Sequence, residues 1–455
     1  MSRRWTAGAA LAALALVASA CIGGGETTST APATVDPSAS QEPVTITIWG
    51  EWTGREYEQW ITIFDAFTEQ YPWITVEPKG GINANKINAS INAGNPPDAV
   101  LSFGVDDVGK WCDSGAWQDL NPWIQSDDPN IGIDVEATFP PGALAYTSYD
   151  GIQCSLPFMT DTYGLYFNTK LVEDAGLDPA SPPQTTDEVV EWAKALTEFN
   201  ADGSIKTLGF IPSSNSYAGW VIPNMVFGHA FGAEWLDDQG TAAFSSDTRW
   251  ADMFTWQKEL IDYYGWDNLE KFLASLGDEW GAKHGFYLDK IGMYVDGEWR
   301  NAFIADAAPD LEYFTAPFPM APGMEAEAGS GIAGGTVIGV PKGSEHPAEA
   351  WLLVRWMATD TDTLVYMTNV INNVPTTYAA IESPDLEVSD QFRVFMDIFS
   401  NEYSDYVPTT VIGAELQDYI GNFASKWQSG SQTDLTGGLQ TATEETNTAL
   451  EQGQI

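Results

Sequence analysis

The sequence predicts an α/β protein with mostly parallel sheets and more than one globular unit. Three observations lead to this fold class. The chain has 455 residues with 44% hydrophobic content, enough for about two to three ordinary domains. Strand and helix patterns alternate from Val44 to Phe103, which is typical of βαβ units and a parallel sheet. Further helix and strand patterns follow a second starting point near Cys154.

The first unit shows a regular order of elements. A period-two pattern predicts a strand over Val44–Ile48, and a second strand is predicted over Ile74–Val76. Between them, Trp60, Phe64 and Phe67 share one face of a predicted helix. A weak helix over residues 82–93 then leads to a third strand over residues 99–103.

In parallel sheets of this kind, ligands lie beyond the carboxyl ends of the strands. Here those ends are residues 49–52 and 102–104. They carry aromatic and polar side chains that suit a ligand site, and the candidates are Trp49, Glu51, Trp52, Ser102 and Phe103.

The composition is strongly acidic. The chain has 64 Asp and Glu residues but only 19 Lys and Arg residues, and its formal net charge is −45 at pH 7. This charge argues against a polyanionic partner, so we expect no nucleic-acid binding. An acidic shell that keeps the protein soluble is the simpler interpretation. A cationic ligand such as a polyamine is the functional one.

Residues 1–20 have the pattern of a secretory signal peptide. Arg3 and Arg4 form a short basic region, an apolar core follows over residues 7–18, and small residues precede Cys21. The apolar core is too short for an ordinary membrane span.

Residues 21–43 are rich in Gly, Ser, Thr, Ala and Pro, and they contain too little apolar surface to fold. We expect a flexible tether here. Cys21, placed directly after the small residues, resembles a bacterial lipoprotein cleavage site. That resemblance implies lipidation of Cys21 and a protein anchored to the membrane at the cell surface, outside the cytoplasm. Plain secretion with an incidental Cys21 is the alternative.

The remaining cysteines are Cys112 and Cys154. In an oxidising compartment such a pair is more often bridged than free, so we expect a disulfide. Two buried thiols too far apart to meet are the alternative. A bridge would close a loop of about 40 residues and stabilise the folded chain by about 3–4 kcal/mol if it acts through chain entropy.

The stretch Cys154–Leu171 is the centre of the sequence. It begins with an apolar Leu-Pro-Phe turn at residues 156–158, passes the polar group Thr160-Asp161-Thr162, and ends in a predicted buried strand over residues 165–168. An amphipathic turn then ends at Gly176. A capping box at Thr185 and Glu188 predicts the next helix.

This stretch resembles the first interlobe crossing of the family 1 extracellular solute-binding proteins, the maltose-binding-protein-like carbohydrate receptors of ABC importers. Three later segments resemble the same family in the same order: Ile291–Trp299, a Gly-Gly-Thr turn within residues 331–357, and Asn372–Pro375. The resemblance covers roughly residues 44 to 450.

The resemblance implies a two-lobed periplasmic-binding-protein fold of type II. Each lobe would be a mostly parallel sheet flanked by helices, with hinge crossings between the lobes. The N-terminal lobe would comprise residues 44–157 and 318–365, and the C-terminal lobe residues 158–317 and 366–455. The hinges are expected near residues 156–160, 317–336 and 359–367.

The resemblance also implies ligand-binding residues along the cleft. Trp299 takes the place of the family's aromatic residue at the end of a strand, with Asp296 and Glu298 beside it. The other residues that match the motifs are Asp161, Gly334, Gly335, Thr336 and Asn373, although the family has glycine where Asn373 stands. Trp220, in a Ser/Asn/Gly-rich loop, is a further candidate.

A sugar presents hydroxyl groups around apolar ring faces, so its site needs flat aromatic side chains together with carboxylates and amides. The 19 Trp residues suit such a site. We therefore expect the extracytoplasmic substrate-binding component of an ABC importer. It would be a monomer that binds a mono- or oligosaccharide in the interlobe cleft and delivers it to a membrane permease.

Other functions have less support. The chain has neither a GxSxG motif nor a P-loop, so ATP hydrolysis would belong to a partner. Its three His residues form no HExxH motif, and we expect no metal and no cofactor. The same fold with a cationic ligand such as a polyamine is one alternative. A secreted glycosidase, which needs two opposed carboxyl groups, is the other.

Overall fold

The computed structural model describes residues 42–213 and 222–453. Its strands, in chain order, are β1 (Val44–Trp49), β2 (Ile74–Lys79), β3 (Ala99–Ser102), β4 (Ser148–Tyr149), β5 (Ile152–Gln153), β6 (Leu156–Asn168), β7 (Glu198–Phe199), β8 (Ile205–Phe210), β9 (Ile291–Gly297), β10 (Tyr313–Pro317), β11 (Ala333–Gly339) and β12 (Val374–Pro375).

The helices before β9 are α1 (Gly54–Trp60), α2 (Ile63–Gln70), α3 (Ala84–Asn92), α4 (Val108–Ser114), α5 (Asn121–Ile124), α6 (Val135–Thr138), α7 (Pro141–Leu144), α8 (Thr169–Asp174), α9 (Thr186–Leu196), α10 (Ile222–Ala230), α11 (Thr248–Tyr264) and α12 (Trp266–Leu273). Those after it are α13 (Arg300–Ala307), α14 (Pro347–Thr359), α15 (Thr361–Ile371), α16 (Tyr378–Ile381), α17 (Asp390–Ser400), α18 (Glu415–Gln428) and α19 (Leu435–Gly453).

The first part of the chain forms the predicted βαβ arrangement. β1 pairs in parallel with both β2 and β3. The predicted helix is divided into α1 and α2, but Trp60, Phe64 and Phe67 are all buried against the sheet as their spacing indicates. The α/β fold class predicted from the sequence is thus confirmed. The sheet as a whole is mixed rather than mostly parallel, because β6 pairs antiparallel with β9, β10, β11 and β12.

One long strand, β6, connects the two halves of a curled mixed sheet with the order β2-β1-β3-β11-β6-β9-β8-β7. Residues 156–162 of β6 pair with β11, and residues 163–168 pair with β9 and β10. β12 also pairs with β6, at Met159 and Thr160. The same backbone therefore belongs to the sheet of β1–β3 at one end and to the sheet of β8 and β9 at the other.

The Leu-Pro-Phe turn predicted at the start of this stretch is wrong, because residues 156–158 already belong to β6. Pro157 lacks an N–H and is a local signal against a strand. The structure accommodates it opposite a register shift in β11, between Thr336 and Val337. Neighbouring strands thus override the local signal.

The Gly-Gly-Thr segment is also a strand rather than the predicted turn, since Gly334, Gly335 and Thr336 lie within β11. Gly335 has a φ of +139°, and a Cβ there would lie 2.3 Å from the carbonyl oxygen of Met159. Only glycine permits this close approach of β11 to β6.

The helices after β11 pack on both parts of the sheet. α14 and α15 contact each other, and α15 also contacts α1, where Tyr366 donates a hydrogen bond to Gln59 (2.9 Å). α17 packs against β6 and β10. The residue boundaries between the two lobes, and the hinge positions, stay predictions.

The capping box predicted for α9 is present in a shifted form. The hydroxyl of Thr185 accepts a hydrogen bond from the backbone N–H of Glu188 (3.3 Å). The Glu188 carboxylate in turn accepts from the backbone N–H of Gln184 (2.6 Å). Two N–H groups at the helix start are therefore satisfied by side chains.

No helix within the described ranges has both the length and the apolar character needed to cross a membrane.

Cys112 and Cys154 form a disulfide that joins α4 to the segment just before β6. Both cysteines are buried, beside Trp111 and Trp117, whose rings stack with centroids 4.3 Å apart. The disulfide thus fixes the segment that leads into β6.

Replacing both cysteines by serine should lower the free energy of unfolding by about 3–4 kcal/mol, because a loop of this length loses its closure constraint. Urea unfolding of the double variant and of the unmodified chain measures the difference. A loss below about 1 kcal/mol would contradict the stabilising role that we assign to the bridge.

Candidate ligand-binding cavity

A cavity of about 350 Å³ lies where the two halves of the sheet meet at β6. Its volume falls in the range of about 300–1,000 Å³ that small-molecule sites occupy. The described residues that line it are Trp52, Glu56, Phe103, Val105, Asp106, Tyr146, Asp161, Tyr163, Met225, Trp280, Trp299, Ala333, Gly334, Gly335, Thr336, Asn373, Tyr406 and Val407.

Aromatic rings form opposite parts of the lining. Trp52 and Phe103 follow β1 and β3, with ring centroids 6.1 Å apart. Tyr163 from β6 meets Trp299 edge to face at 5.8 Å. The side chain of Phe103 is 42% exposed, so part of its ring is open to a ligand. Such faces suit the apolar side of a sugar ring.

The orientation of Trp299 depends on the residue two places earlier. A Cβ on Gly297 would lie 2.2 Å from the Trp299 ring, so the ring folds back over a glycine. The indole Nε1 of Trp299 is buried and has no hydrogen-bond partner among the described residues. It is therefore a donor available to a ligand.

Trp280 stands at the rim of the cavity and is 52% exposed. Its ring lies over the guanidinium of Arg300, with Cζ 5.1 Å from the ring centroid. Arg300 is fully buried and donates to the Asp296 carboxylate at 2.5 Å. Arg300 thus makes a cation–π contact with Trp280 and an ion pair with Asp296.

A group of two carboxyls and an amide lies at the centre of the crossing, with Glu298 and Asn373 buried and Asp161 half-buried. The Asn373 Nδ2 donates to Asp161 Oδ1 (2.5 Å) and to Glu298 Oε1 (2.9 Å). The backbone N–H of Thr162 donates to Glu298 Oε2 (2.8 Å). Asn373 is only 4% exposed, and among the described residues its Oδ1 has no partner. An amide oxygen is thus free to accept from a ligand.

The two carboxyls of this group hold a proton. Burial raises the pKa of Glu298 well above its usual value, and the nearby charge of Asp161 raises it further. Burial also raises the pKa of Asp161 to about 6, against hydrogen bonds from Glu298 and Asn373 that lower it. Glu298 therefore carries the proton and donates it to the Asp161 carboxylate.

Two further carboxyls face the cavity from the side of β1–β3. Burial, with a contribution from Asp161, raises the pKa of Glu56 on α1 to about 7. Burial, followed by the charge of Asp107, raises the pKa of Asp106 to about 7. Asp106 belongs to the short 3₁₀ helix Val105–Asp107 that follows β3.

The structure brings together many of the residues that the sequence identifies. Those that line the cavity are Trp52, Phe103, Asp161, Trp299, Gly334, Gly335, Thr336 and Asn373. They come from six separate segments, which meet because β1, β3, β6, β9, β11 and β12 belong to the same sheet. Trp220 lies outside the described residues.

Five other candidates lie behind the lining instead: Trp49, Glu51, Ser102, Asp296 and Glu298. Glu51 accepts from Ser102 Oγ (2.6 Å) and from the backbone N–H of Phe103 (3.0 Å), so these residues position the loop after β3. Trp49 packs in the core under Lys79, whose Nζ lies 5.6 Å from the ring centroid.

The remaining two are Asp296 and Glu298. Asp296 is paired with Arg300, and Glu298 is fully buried behind Asp161. Both therefore act on the cavity through the residues that they hold.

Other lining residues carry no signal that the sequence motifs identify: Glu56, Val105, Asp106, Tyr146, Tyr163, Met225, Trp280, Ala333, Tyr406 and Val407. Glu56 and Asp106 follow the ends of β1 and β3, so the strand-end rule extended by one turn would have found them. No local signal identifies Tyr406. It reaches the cavity because the Asp405 carbonyl accepts from the Ala333 N–H (2.7 Å).

Within the described ranges, no group of three or more His, Cys, Asp and Glu side chains is arranged to hold a metal ion.

Comparison with known proteins identifies the family. The bacterial extracellular solute-binding protein family matches residues 62–393. The chain belongs to this family. Among individual relatives, an uncharacterised ABC-transporter extracellular-binding protein of Pyrococcus horikoshii is 26% identical over 361 residues, which cover 76% of each chain. A maltotriose-binding protein of Pyrococcus abyssi is 22% identical over 348 residues, which cover 75% of this chain and 68% of the relative.

The solved structure of CpMnBP1 with mannotriose bound is similar with a TM-score of 0.76 and 26% sequence identity. The similarity covers 89% of this chain and 100% of that one. The solute-binding family and the two-lobed α/β architecture predicted from the sequence are thereby confirmed.

The buried carboxyls make a specific prediction about pH. A carboxyl whose pKa is raised by folding contributes its full stability when the pH is below its ordinary pKa, which is near 4.5 for Glu. This contribution is lost as the pH rises through the higher pKa of the folded state. Glu56, Asp106 and Asp161 act in the same direction up to about pH 6–7. The free energy of unfolding should therefore fall as pH is raised from 5 to 8.

Glu298→Gln should make this fall shallower, because it removes a carboxyl whose pKa is raised well above its ordinary value by folding. Denaturant unfolding at several pH values measures it. Glu58→Gln is the matched control, because Glu58 on α1 is exposed. An equal pH dependence in the Glu298→Gln variant and the unmodified chain would contradict the assignment.

Proposed function

We propose that the protein is the extracytoplasmic substrate-binding component of an ABC importer and that it binds a mono- or oligosaccharide in the cavity at β6. The observation that carries the proposal is the lining, which combines aromatic faces with carboxyl and amide groups. The similarity to a structure with mannotriose bound and to a maltotriose-binding protein supports the same class of ligand.

Each kind of side chain has a distinct role in this proposal. Trp299 supplies a ring face for stacking and an Nε1 that donates to a sugar oxygen. Asp161 and the Asn373 Oδ1 accept from sugar hydroxyls, which have two lone pairs and one proton to offer at each position. Phe103 and Trp280, both partly exposed, cover the rim. Stacking and hydrogen bonding together fix the ligand's orientation.

The geometry of the Asp161–Glu298 pair does not suit hydrolysis. A glycosidase places its two carboxyls on opposite sides of the scissile bond, about 5–9.5 Å apart. Asp161 and Glu298 instead hydrogen-bond to each other and share Asn373 as a donor. This pair cannot flank a glycosidic bond, so we assign it a binding role.

Delivery to a permease requires two conformations that the ligand can shift between. β6, β11 and β12 would serve as the hinge crossings. The ion pair between Arg55 Nε on α1 and Asp306 on α13 (2.6 Å) joins elements on the two sides of the cavity. In this proposal the closed, liganded monomer docks on the permease, while lipidated Cys21 and the tether of residues 21–43 hold it at the membrane.

A cationic ligand such as a polyamine is the second candidate. The carboxyls of Glu56, Asp106 and Asp161 on the cavity lining favour it, because carboxylates and aromatic rings both attract ammonium groups. Salt would weaken such charge pairing but would leave stacking unchanged, so the salt dependence of affinity separates the two candidates.

Thermal shift against a panel of mono- and oligosaccharides plus spermidine tests the proposal. A ligand at about 100 times its Kd should stabilise the protein by about 2.7 kcal/mol. We expect stabilisation by one class of sugar, recovered intact. Trp299→Ala should weaken its binding about 30-fold or more, since buried aromatic anchors contribute about 2 kcal/mol or more.

Trp73→Ala is the matched control, because Trp73 lies directly before β2 and does not line the cavity. The Trp73→Ala variant should bind the same sugar with the affinity of the unmodified chain. Stabilisation by spermidine alone, or consumption of the sugar, would contradict the proposal.

A further inference from the structure

The cavity lining carries acidic side chains but no basic one. Glu56, Asp106 and Asp161 come from three different elements, α1, the 3₁₀ helix after β3, and β6, and all face the same space. None of the described lining residues is Lys, Arg or His. Residues 214–221, which lie outside the described ranges just before α10, also contain no Lys, Arg or His.

The two arginines whose charges act on Glu56 each form an ion pair with another acid. Arg55 donates to Asp306 at 2.6 Å, and Arg300 donates to Asp296 at 2.5 Å while lying fully buried. Both lower the pKa of Glu56, but burial outweighs them and the net shift is upward. Neither arginine is among the described residues that line the cavity.

We propose that this site is selective by charge: it takes sugars that are uncharged or carry an amine, and it excludes sugars that carry carboxylate, phosphate or sulfate groups. The inference rests on the proposed function, and it names Glu56 and Asp106 as specificity-determining residues. Neutral donors and acceptors, including Trp299 Nε1 and the buried Asn373 Oδ1, remain to bind hydroxyl groups.

The raised pKa values of the carboxyls support the same conclusion. Glu56 and Asp106 each have a pKa of about 7, and burial is the main cause. The cavity therefore already disfavours negative charge on its own side chains. A ligand anion would meet the same desolvation cost and, in addition, repulsion from the ionised fraction of these carboxyls.

Isothermal titration calorimetry at pH 7.5 tests the proposal with matched trisaccharides. Maltotriose and mannotriose are the neutral probes, the glucosamine trimer is the amine-bearing probe, and trigalacturonate and maltotriose with a terminal phosphate are the anionic probes. We expect at least one neutral or amine-bearing probe to bind. The anionic probes should bind at least about 100-fold more weakly, a difference of about 2.7 kcal/mol.

The double variant Glu56→Gln, Asp106→Asn should reduce this discrimination at least tenfold, because it removes two acids and keeps their shape. Glu58→Gln, an exposed acid on the same helix, is the control and should leave the ratio unchanged.

Three results would count against the inference. An anionic probe that binds as tightly as the neutral ones overturns it while leaving the sugar-binding function intact. The same holds if the double variant discriminates as strongly as the unmodified chain. Binding of none of these probes, and of no sugar in the thermal-shift panel, contradicts the proposed function itself, and the inference with it.

Discussion

The structure depends on one strand that belongs to two sheets. β6 pairs with β11 over its first half and with β9 and β10 over its second half, so the two halves of the protein share a single extended backbone. Asp161 lies near the point where β6 stops pairing with β11 and begins to pair with β9. Asn373 and Glu298 contact it there from two other segments. Because these groups meet at the crossing, any relative movement of the halves must act on the same residues that line the cavity.

Charge has two different functions in this chain. Most of the 64 acidic residues lie on the surface of a protein with a net charge of −45, where they favour solubility. A few buried or half-buried carboxyls lie beside the cavity, where desolvation raises their pKa values and the protonated Glu298 donates a hydrogen bond to Asp161. The acidic residues on the surface give no information about the ligand, whereas the carboxyls beside the cavity limit the charge that a ligand can carry there.

The sequence predicted the parts of the fold that local patterns encode. Alternating residues located β1, helical spacing placed Trp60, Phe64 and Phe67 in the core, and strand ends located Trp52 and Phe103. Features set by tertiary pairing were missed. Pro157 signals a turn locally but lies in β6, and Tyr406 and Trp280 reach the cavity only through contacts with β11 and Arg300. Glu51 was identified as a ligand residue from its position, yet its hydrogen bonds position the loop after β3.

The most direct measurement is a crystal structure of the protein with the oligosaccharide that stabilises it most. We expect a sugar ring stacked on Trp299, with hydroxyl groups within hydrogen-bond distance of Asp161 and the Asn373 Oδ1. Residues from both halves of the sheet should enclose the ligand. A sugar bound elsewhere on the surface, with the cavity at β6 unchanged, would contradict the claim that this crossing is the binding site.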